Sequence, residues 1–315
     1  MSEPLDQKTF FVDNSLLELI TTCPYKAWAS SILRRRRAGD EPALRFGTHI
    51  HSVTTLKDRG ECLGQEVTYE QQVGLLEKDF LENPCESEGW RNFATAAEVI
   101  RAYNLHWGLE HCTTVRLKDG TPATELSFAL EAGEVDGVRI VYCGKIDRLV
   151  TYPGEGLFVF DRKTTSVAGD TFWVDKEMNP QGRGYCWACR EAPQIAQEPT
   201  GYVIDMLCTR PPSKTGTAIE FGRRKYHTKV PEGQLDRWHS NMLEQVATWL
   251  WYCKKNVFPR HHAMHCVHKY GMCEYIGPCR ELTEAKSLEA LASGDFKDNT
   301  WSPLSSAKPA EVSPI

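Results

Sequence analysis

The sequence predicts an α/β fold: a helical N-terminal part leading into a mixed sheet flanked by helices. Three observations carry this. Apolar residues recur at helical spacing through the first third of the chain. Alternation takes over at Leu126, Phe128 and Leu130 and again at Val138, Ile140 and Tyr142, followed by the apolar run Leu157–Phe160. Helix and strand signals then exchange until about residue 253, a pattern that places helices against a sheet.

Residues 14–36 read as two short helices. Asn14 or Ser15 can cap the first, which carries Leu16, Leu17, Leu19 and Ile20. Pro24 suits the first turn of the second, where Tyr25, Trp28, Ala29, Ile32 and Leu33 share helical spacing before the run Arg34–Arg37. Residues 43–58, 67–82 and 90–109 read as three further helices. The three strands are joined by turns at Gly133–Gly137 and Pro153–Gly156. Residues 180–192 read as a helix, 202–208 and 218–226 as strands, and 231–253 as a long helix. Residues 258–280 are rich in cysteine and histidine without a clear period. From Asp295 the Ser/Pro/Lys-rich composition predicts a disordered tail, so the expected layout is one domain over 1–294 and a tail over 295–315.

The chain has 315 residues, 41% hydrophobic and 25% charged, an ordinary globular composition. No segment reaches the ~20 apolar residues of a membrane span, and the first residues carry no basic-then-apolar leader. These features predict an intracellular, cytoplasmic protein. The net charge of −5 argues against coating nucleic acid by bulk charge but leaves room for a local basic groove. Twelve cysteines in a reducing compartment point to metal ligation or core packing rather than disulfides.

Four pieces stand in order: Gly47-Thr48-His49-Ile50-His51, Gly144-Lys145-Ile146-Asp147, Asp161-Arg162-Lys163 and Gln181-Gly182-Arg183-Gly184-Tyr185. On a strand, positions i and i+2 share a face, so Asp161 and Lys163 project together and Arg162 points away. Asp147 ends the neighbouring strand signal, and a hairpin brings its carboxylate to that of Asp161. Two carboxylates and a backbone carbonyl form an oxygen site for Mg²⁺ or Mn²⁺, and an imidazole, His51, tilts it towards Mn²⁺. Lys163 can help deprotonate a metal-bound water or stabilise charge on a phosphate. Gln181 and Tyr185, four apart on a helix, share a face and can position Lys163 or grip the substrate. Each piece alone has a bland reading: Asp161–Lys163 as a surface pair, a helical histidine as packing.

Together the pieces resemble the RecB-like branch of the PD-(D/E)XK nuclease superfamily, from about Phe11 to Cys279. The resemblance implies a restriction-endonuclease-like core. It also implies His51, Asp147, Asp161 and the Arg162 carbonyl as metal ligands, Lys163 as the catalytic lysine, and Gln181 and Tyr185 as the supporting motif. His49 competes for the histidine role, and His51 is preferred for its spacing from Gly47.

Cys266, Cys273 and Cys279 follow a Cys-x6-Cys-x5-Cys pattern, and Cys23 stands in a helix–helix break near the N-terminus. Four thiolates can hold Zn²⁺, but zinc sites commonly use C-x₂₋₄-C pairs, tighter than these. One early and three late cysteines resemble the iron–sulfur subset of these nucleases, seen in AddB and in CRISPR-adaptation exonucleases. That likeness implies a [4Fe–4S] cluster on Cys23, Cys266, Cys273 and Cys279, in a lobe built from residues 15–36 and 258–282. Such a cluster ties distant parts of the chain together and is expected to be structural. His261, His262, His265 and His268 are the residues a rival zinc site would use. Cys186 and Cys189, with Cys62, Cys85, Cys112, Cys143, Cys208 and Cys253, read as packing.

Arg34–Arg37, Arg210, Lys214, Arg223, Arg224 and Lys225 are candidate phosphate contacts, and Trp173, Trp187 and Tyr185 candidate stacking groups. The function expected is a metal-dependent exonuclease on single-stranded DNA, in repair, recombination or phage DNA processing. It would be bacterial or phage-encoded, with a helicase or recombination partner and no membrane association. The rivals are a non-catalytic DNA-binding adaptor that keeps the fold and a zinc-stapled structural protein.

Overall fold

The computed structural model describes residues 9–39, 41–85, 89–107, 111–166, 180–193, 195, 197–209, 221–261, 266–268 and 271–300. The elements run β1 (Thr9–Val12), α1 (Asn14–Thr22), α2 (Pro24–Ala27) continuing into a π-helical turn (Trp28–Ile32), β2 (Arg35–Arg37), α3 (Pro42–Leu63), α4 (Tyr69–Glu82) and α5 (Phe93–Trp107). Then come β3 (Thr113–Thr114), β4 (Thr124–Val135), β5 (Val138–Tyr152), β6 (Gly156–Thr165), α6 (Pro180–Glu191), β7 (Gly201–Thr209), β8 (Phe221–Lys229) and α7 (Gln234–Lys255). The last are β9 (Val267–His268), β10 (Gly271–Met272), α8 (Ile276–Arg280), α9 (Glu284–Ala292) and β11 (Phe296–Asp298).

The chain divides into two compact units where one domain was expected. A middle unit spans Asp40–Leu126 and Lys145–Leu235, and a second unit combines Met1–Gly39, Ser127–Gly144 and Asp236–Pro314. The long hairpin β4–β5 runs through both. Its reversal is Asp136–Gly137, both at positive φ (50° and 80°), the backbone a two-residue hairpin loop requires.

In the middle unit, β5 pairs antiparallel with β6, β6 parallel with β7, and β7 antiparallel with β8. Leu157–Phe160 and all nine residues of β7 are buried, which explains their near-continuous apolar sequence. Parallel neighbours need a crossover, and α6 supplies it: it leaves β6, packs back on β6 and β7, and so returns Gln181 and Tyr185 to the end of β6. Gly182 permits this close docking, since a Cβ there would lie 2.5 Å from the Tyr202 ring. Helices α3, α4 and α5 form a second layer around Phe46, Ile50, Val53, Leu76, Ile100 and Tyr103, closed on the sheet by Leu207.

In the terminal unit, β1 lies parallel to the first residues of β5. Helix α1 is capped by Asp13, whose carboxylate accepts the Leu16 N–H at 2.8 Å; Asn14 and Ser15, the two expected caps, are already the first helical residues. The arginine run, expected to close a helix, is instead strand β2, because it pairs antiparallel with β11. Tyr275 O–H donates to the Arg35 carbonyl at 2.6 Å and fixes this strand from its other side. Residues 295–300 are therefore structured and not part of a disordered tail; 301–315 lie outside the described residues. The 258–280 segment, which lacks a period, contains β9, β10 and the short α8.

Burial pushes the Asp13 carboxyl up from 3.8 to about 6, against the backbone N–H groups of Leu16 and Ser15 that favour its charge. A carboxyl whose pKa is higher folded than unfolded favours folding below the unfolded value, and that contribution fades as pH rises through the folded one. The window is about pH 4 to 6, and the ionised, buried cap costs about 3 kcal/mol at neutral pH. Asp13→Asn keeps a good cap without the charge. It is expected to raise the melting temperature at pH 7 and to flatten the stability change between pH 4 and 6. Thermal melts across that range check it, and a lower melting temperature at pH 7 would refute it.

Candidate metal and cleavage site

The site forms where β5 and β6 meet α3 and α6. In the β5–β6 register Arg148 faces Phe160, so one step further Asp147 stands opposite Asp161. The Arg162 N–H donates to Asp147 Oδ2 at 2.8 Å, which brings the backbone of the Asp161-Arg162-Lys163 segment to the site. Lys163 Nζ lies 2.9 Å from Asp161 Oδ2, as expected for side chains at i and i+2. Helix α3 approaches β6 so closely that a Cβ on Gly47 would sit 2.7 Å from Thr164 Oγ1. Gly47 thus provides contact rather than open space, and His51, one turn on, reaches Asp147 Oδ2 with Nε2 at 2.9 Å. Gln181 donates to the Tyr185 hydroxyl at 3.0 Å, and the charges of Asp161 and Lys163 both act on Tyr185.

The structure therefore brings together His51, Asp147, Asp161, Arg162, Lys163, Gln181 and Tyr185. His49 is elsewhere: it is buried against Phe80, with ring centroids 4.4 Å apart, and bonds the Asn83 carbonyl at 2.9 Å. Trp187 and Tyr185 are buried, so neither offers a face on which a base could stack. Trp173, Arg210 and Lys214 lie outside the described residues. So do His262 and His265.

Two parts of the site were not foreseen. The first is Glu125. Its Oε1 lies 3.2 Å from His51 Nδ1, and Lys145 is ion-paired to its Oε2. His51, Glu125 and Asp147 each offer a ligand atom within 4.8 Å of the others, a donor set that suits a divalent cation. The alternation legible in the sequence starts one residue later, at Leu126, and the positive φ of 54° at Glu125 has no signature in a non-glycine residue.

The second is the layer behind the site. Asp58 holds Arg148 at 2.9 Å and Arg162 at 3.1 Å, and Arg162 also meets Asp205 at 3.2 Å, Thr54 at 2.8 Å and Tyr103 at 3.3 Å. These four charged side chains are at most 4% exposed. Strand alternation explains them: Asp147, Asp161 and Lys163 face the site, while Arg148 and Arg162 between them face the interior.

The charges are strongly coupled. Burial opposes the imidazolium of His51, but the facing carboxylates of Asp147 and Glu125 outweigh it and raise the pKa to about 9. Burial likewise opposes ionised Asp147, which His51, Lys163 and the Arg162 N–H nonetheless hold below the ordinary carboxylate value. Asp161 is pushed up by burial and by the Asp147 charge, against Lys163. Lys163 is raised because Asp161 and Asp147 outweigh burial, so it stays an ammonium. Burial and the Asp161 charge push Tyr185 up to about 12. A cavity of 840 Å³ adjoins the site, lined by one face of α3 (Leu44, Gly47, His51, Thr55) and by Arg59 and Lys163.

A sequence profile of the PD-(D/E)XK nuclease superfamily matches residues 14–280. This chain belongs to that superfamily. Among solved structures, that of a "Putative exonuclease" from Eubacterium rectale is similar in fold. Its TM-score is 0.53 at 16% identity, over 90% of this chain and 93% of that one. No curated protein matches the chain. The mixed sheet flanked by helices agrees with the restriction-endonuclease-like core of PD-(D/E)XK nucleases, which use divalent metals. No helix among the described residues is long and apolar enough to cross a membrane.

In this PD-(D/E)XK chain, Cys23, Cys266, Cys273 and Cys279 are free and half-buried, and all belong to the terminal unit. Burial raises the Cys279 thiol, Arg260 lowers it, and the charges of Cys23, Cys266 and Cys273 raise it. Among the described residues they do not converge as tightly as the His51 group. Cys186 and Cys189 are buried packing residues of α6.

Proposed function

We propose that this nuclease is a metal-dependent exonuclease acting on single-stranded DNA inside the cell. The observation that carries the reading is the juxtaposition, where β5 runs beside β6, of His51 and Asp147 with the Lys163–Asp161 pair. His51, Asp147, Asp161 and the Arg162 carbonyl are the ligands proposed for Mg²⁺ or Mn²⁺; the metal supplies an activated water and a counter-charge for phosphate oxygens. Lys163, held protonated, places an ammonium against the charge that develops on the phosphoryl group. Its raised pKa favours this role over that of a general base. Gln181 fixes the Tyr185 hydroxyl, and Tyr185 stays neutral at physiological pH within reach of the Lys163 and Asp161 charges. The cavity beside α3, with Arg59 and Lys163 on its wall, is the proposed path of the strand.

Cys23, Cys266, Cys273 and Cys279 are the residues proposed to hold a [4Fe–4S] cluster with a structural role. The x6 and x5 spacings of Cys266, Cys273 and Cys279, wider than the C-x₂₋₄-C pairs common in zinc sites, support the larger group over zinc. The proposed setting is DNA repair, recombination or phage DNA processing, with a helicase or recombination partner.

Anaerobically purified protein tests both readings. A brown, iron- and sulfide-containing protein that shortens end-labelled single strands only with Mn²⁺ or Mg²⁺ is the expected result. DNA binding without cleavage at any metal concentration would overturn the enzymatic reading, and stoichiometric zinc without iron would overturn the cluster.

A further inference from the structure

Glu125 belongs to no motif that the sequence carries, yet three observations converge on it. Its carboxylate is divided between two partners, with Oε1 3.2 Å from His51 Nδ1 and Oε2 ion-paired with Lys145. Among the described residues Oε1 is buried, and its 3.2 Å contact with His51 falls short of an aligned hydrogen bond. The backbone at Glu125 is left-handed, φ 54°, a conformation that residues with a Cβ adopt at a cost. Lys145 stands two residues before Asp147 on β5 and so shares its face. One strand therefore presents Asp147 to Nε2 of His51 and, through Lys145, the clamp on the carboxylate that meets Nδ1.

We propose that Glu125 is a positioning residue that accepts the Nδ1–H of His51 and thereby commits Nε2, on the Asp147 side of the ring, to the divalent cation. This rests on the metal-dependent reading of the site. A histidine ligand with a carboxylate on its other nitrogen has its tautomer and ring orientation fixed and its donor nitrogen made more basic. Glu125 is not itself the better ligand: one oxygen is held by an ammonium and the other faces the ring edge turned away from Asp147. Lys145 keeps the carboxylate from swinging towards the cation and balances its charge.

The test is Mn²⁺ binding, read by the loss of the free-ion electron paramagnetic resonance signal, in the full chain and in Glu125→Gln and Glu125→Ala. Loss of such an orienting carboxylate is expected to weaken Mn²⁺ binding about 10- to 100-fold in Glu125→Ala. Glu125→Gln keeps an acceptor for Nδ1–H and is expected to recover most of that loss. Nitrogen-15 spectra of the Zn²⁺-loaded protein are expected to show His51 as a single Nδ1–H tautomer in the native chain and Glu125→Gln, and as a mixture in Glu125→Ala. Native-like Mn²⁺ affinity in Glu125→Ala overturns the assignment. Equal losses in both variants overturn it too, because they make Glu125 a direct ligand. A native chain that binds no Mn²⁺ refutes instead the metal-dependent reading beneath it.

Discussion

Lys163→Ala is expected to slow strand cleavage by about 1,000-fold, within the range that loss of a positioned proton donor or charge stabiliser produces. The structure gives the reason. The ammonium lies 2.9 Å from Asp161, and its protonated form is stabilised by Asp161 and Asp147 together. Removing it leaves two facing carboxylates whose repulsion a cation relieves, so Mn²⁺ binding should hold or tighten while the rate falls. That split between binding and rate is the diagnostic part. Single-turnover cleavage of end-labelled single strands at saturating Mn²⁺ measures it. A rate within tenfold of the native chain would remove Lys163 from the chemistry.

Asp58→Ala is expected to be the most destabilising single change in the middle unit, by about 3–5 kcal/mol. Asp58 bridges Arg148 and Arg162, and both guanidiniums are at most 4% exposed. Without it, two buried cations face each other with Asp205 as the remaining acidic partner among the contacts described. Calorimetry should show a melting temperature lower by roughly 10 °C. Asp58→Asn, which retains an acceptor, should fall between. Because Arg162 also gives its backbone N–H to Asp147, the Ala variant should lose metal affinity below its own melting range. A variant that melts like the native chain would show that the four-charge layer adds nothing to stability.

The working face of the site was legible because helix and strand periods assign side chains to faces. Asp161 with Lys163, Gln181 with Tyr185, and His51 one turn beyond Gly47 are statements about spacings of two and four, and the fold obeys them. What supports those residues was not legible. Arg162 meets Asp58 across 104 positions of sequence, and no local pattern announces such a pair. Glu125 depends on a bend at one residue rather than on a repeat. The run Arg35–Arg37 has little strand propensity of its own and becomes a strand because Phe296–Asp298 lies beside it. Helix α9 does carry local signals, Thr283 as its cap and a run of good helix formers, but sits beyond the motifs that organise the rest.

The alternation along β5 and β6 has a consequence for how this protein reaches its native state. Acidic and basic side chains follow one another without a spacer, at Asp147–Arg148 and Asp161–Arg162–Lys163. A one-residue slip of either strand would turn an arginine into the proposed cation site and sink a carboxylate among apolar rings. Misaligned pairings of this hairpin are therefore penalised twice, on both faces, before any substrate is met. The same residues that build the proposed site also proofread the fold.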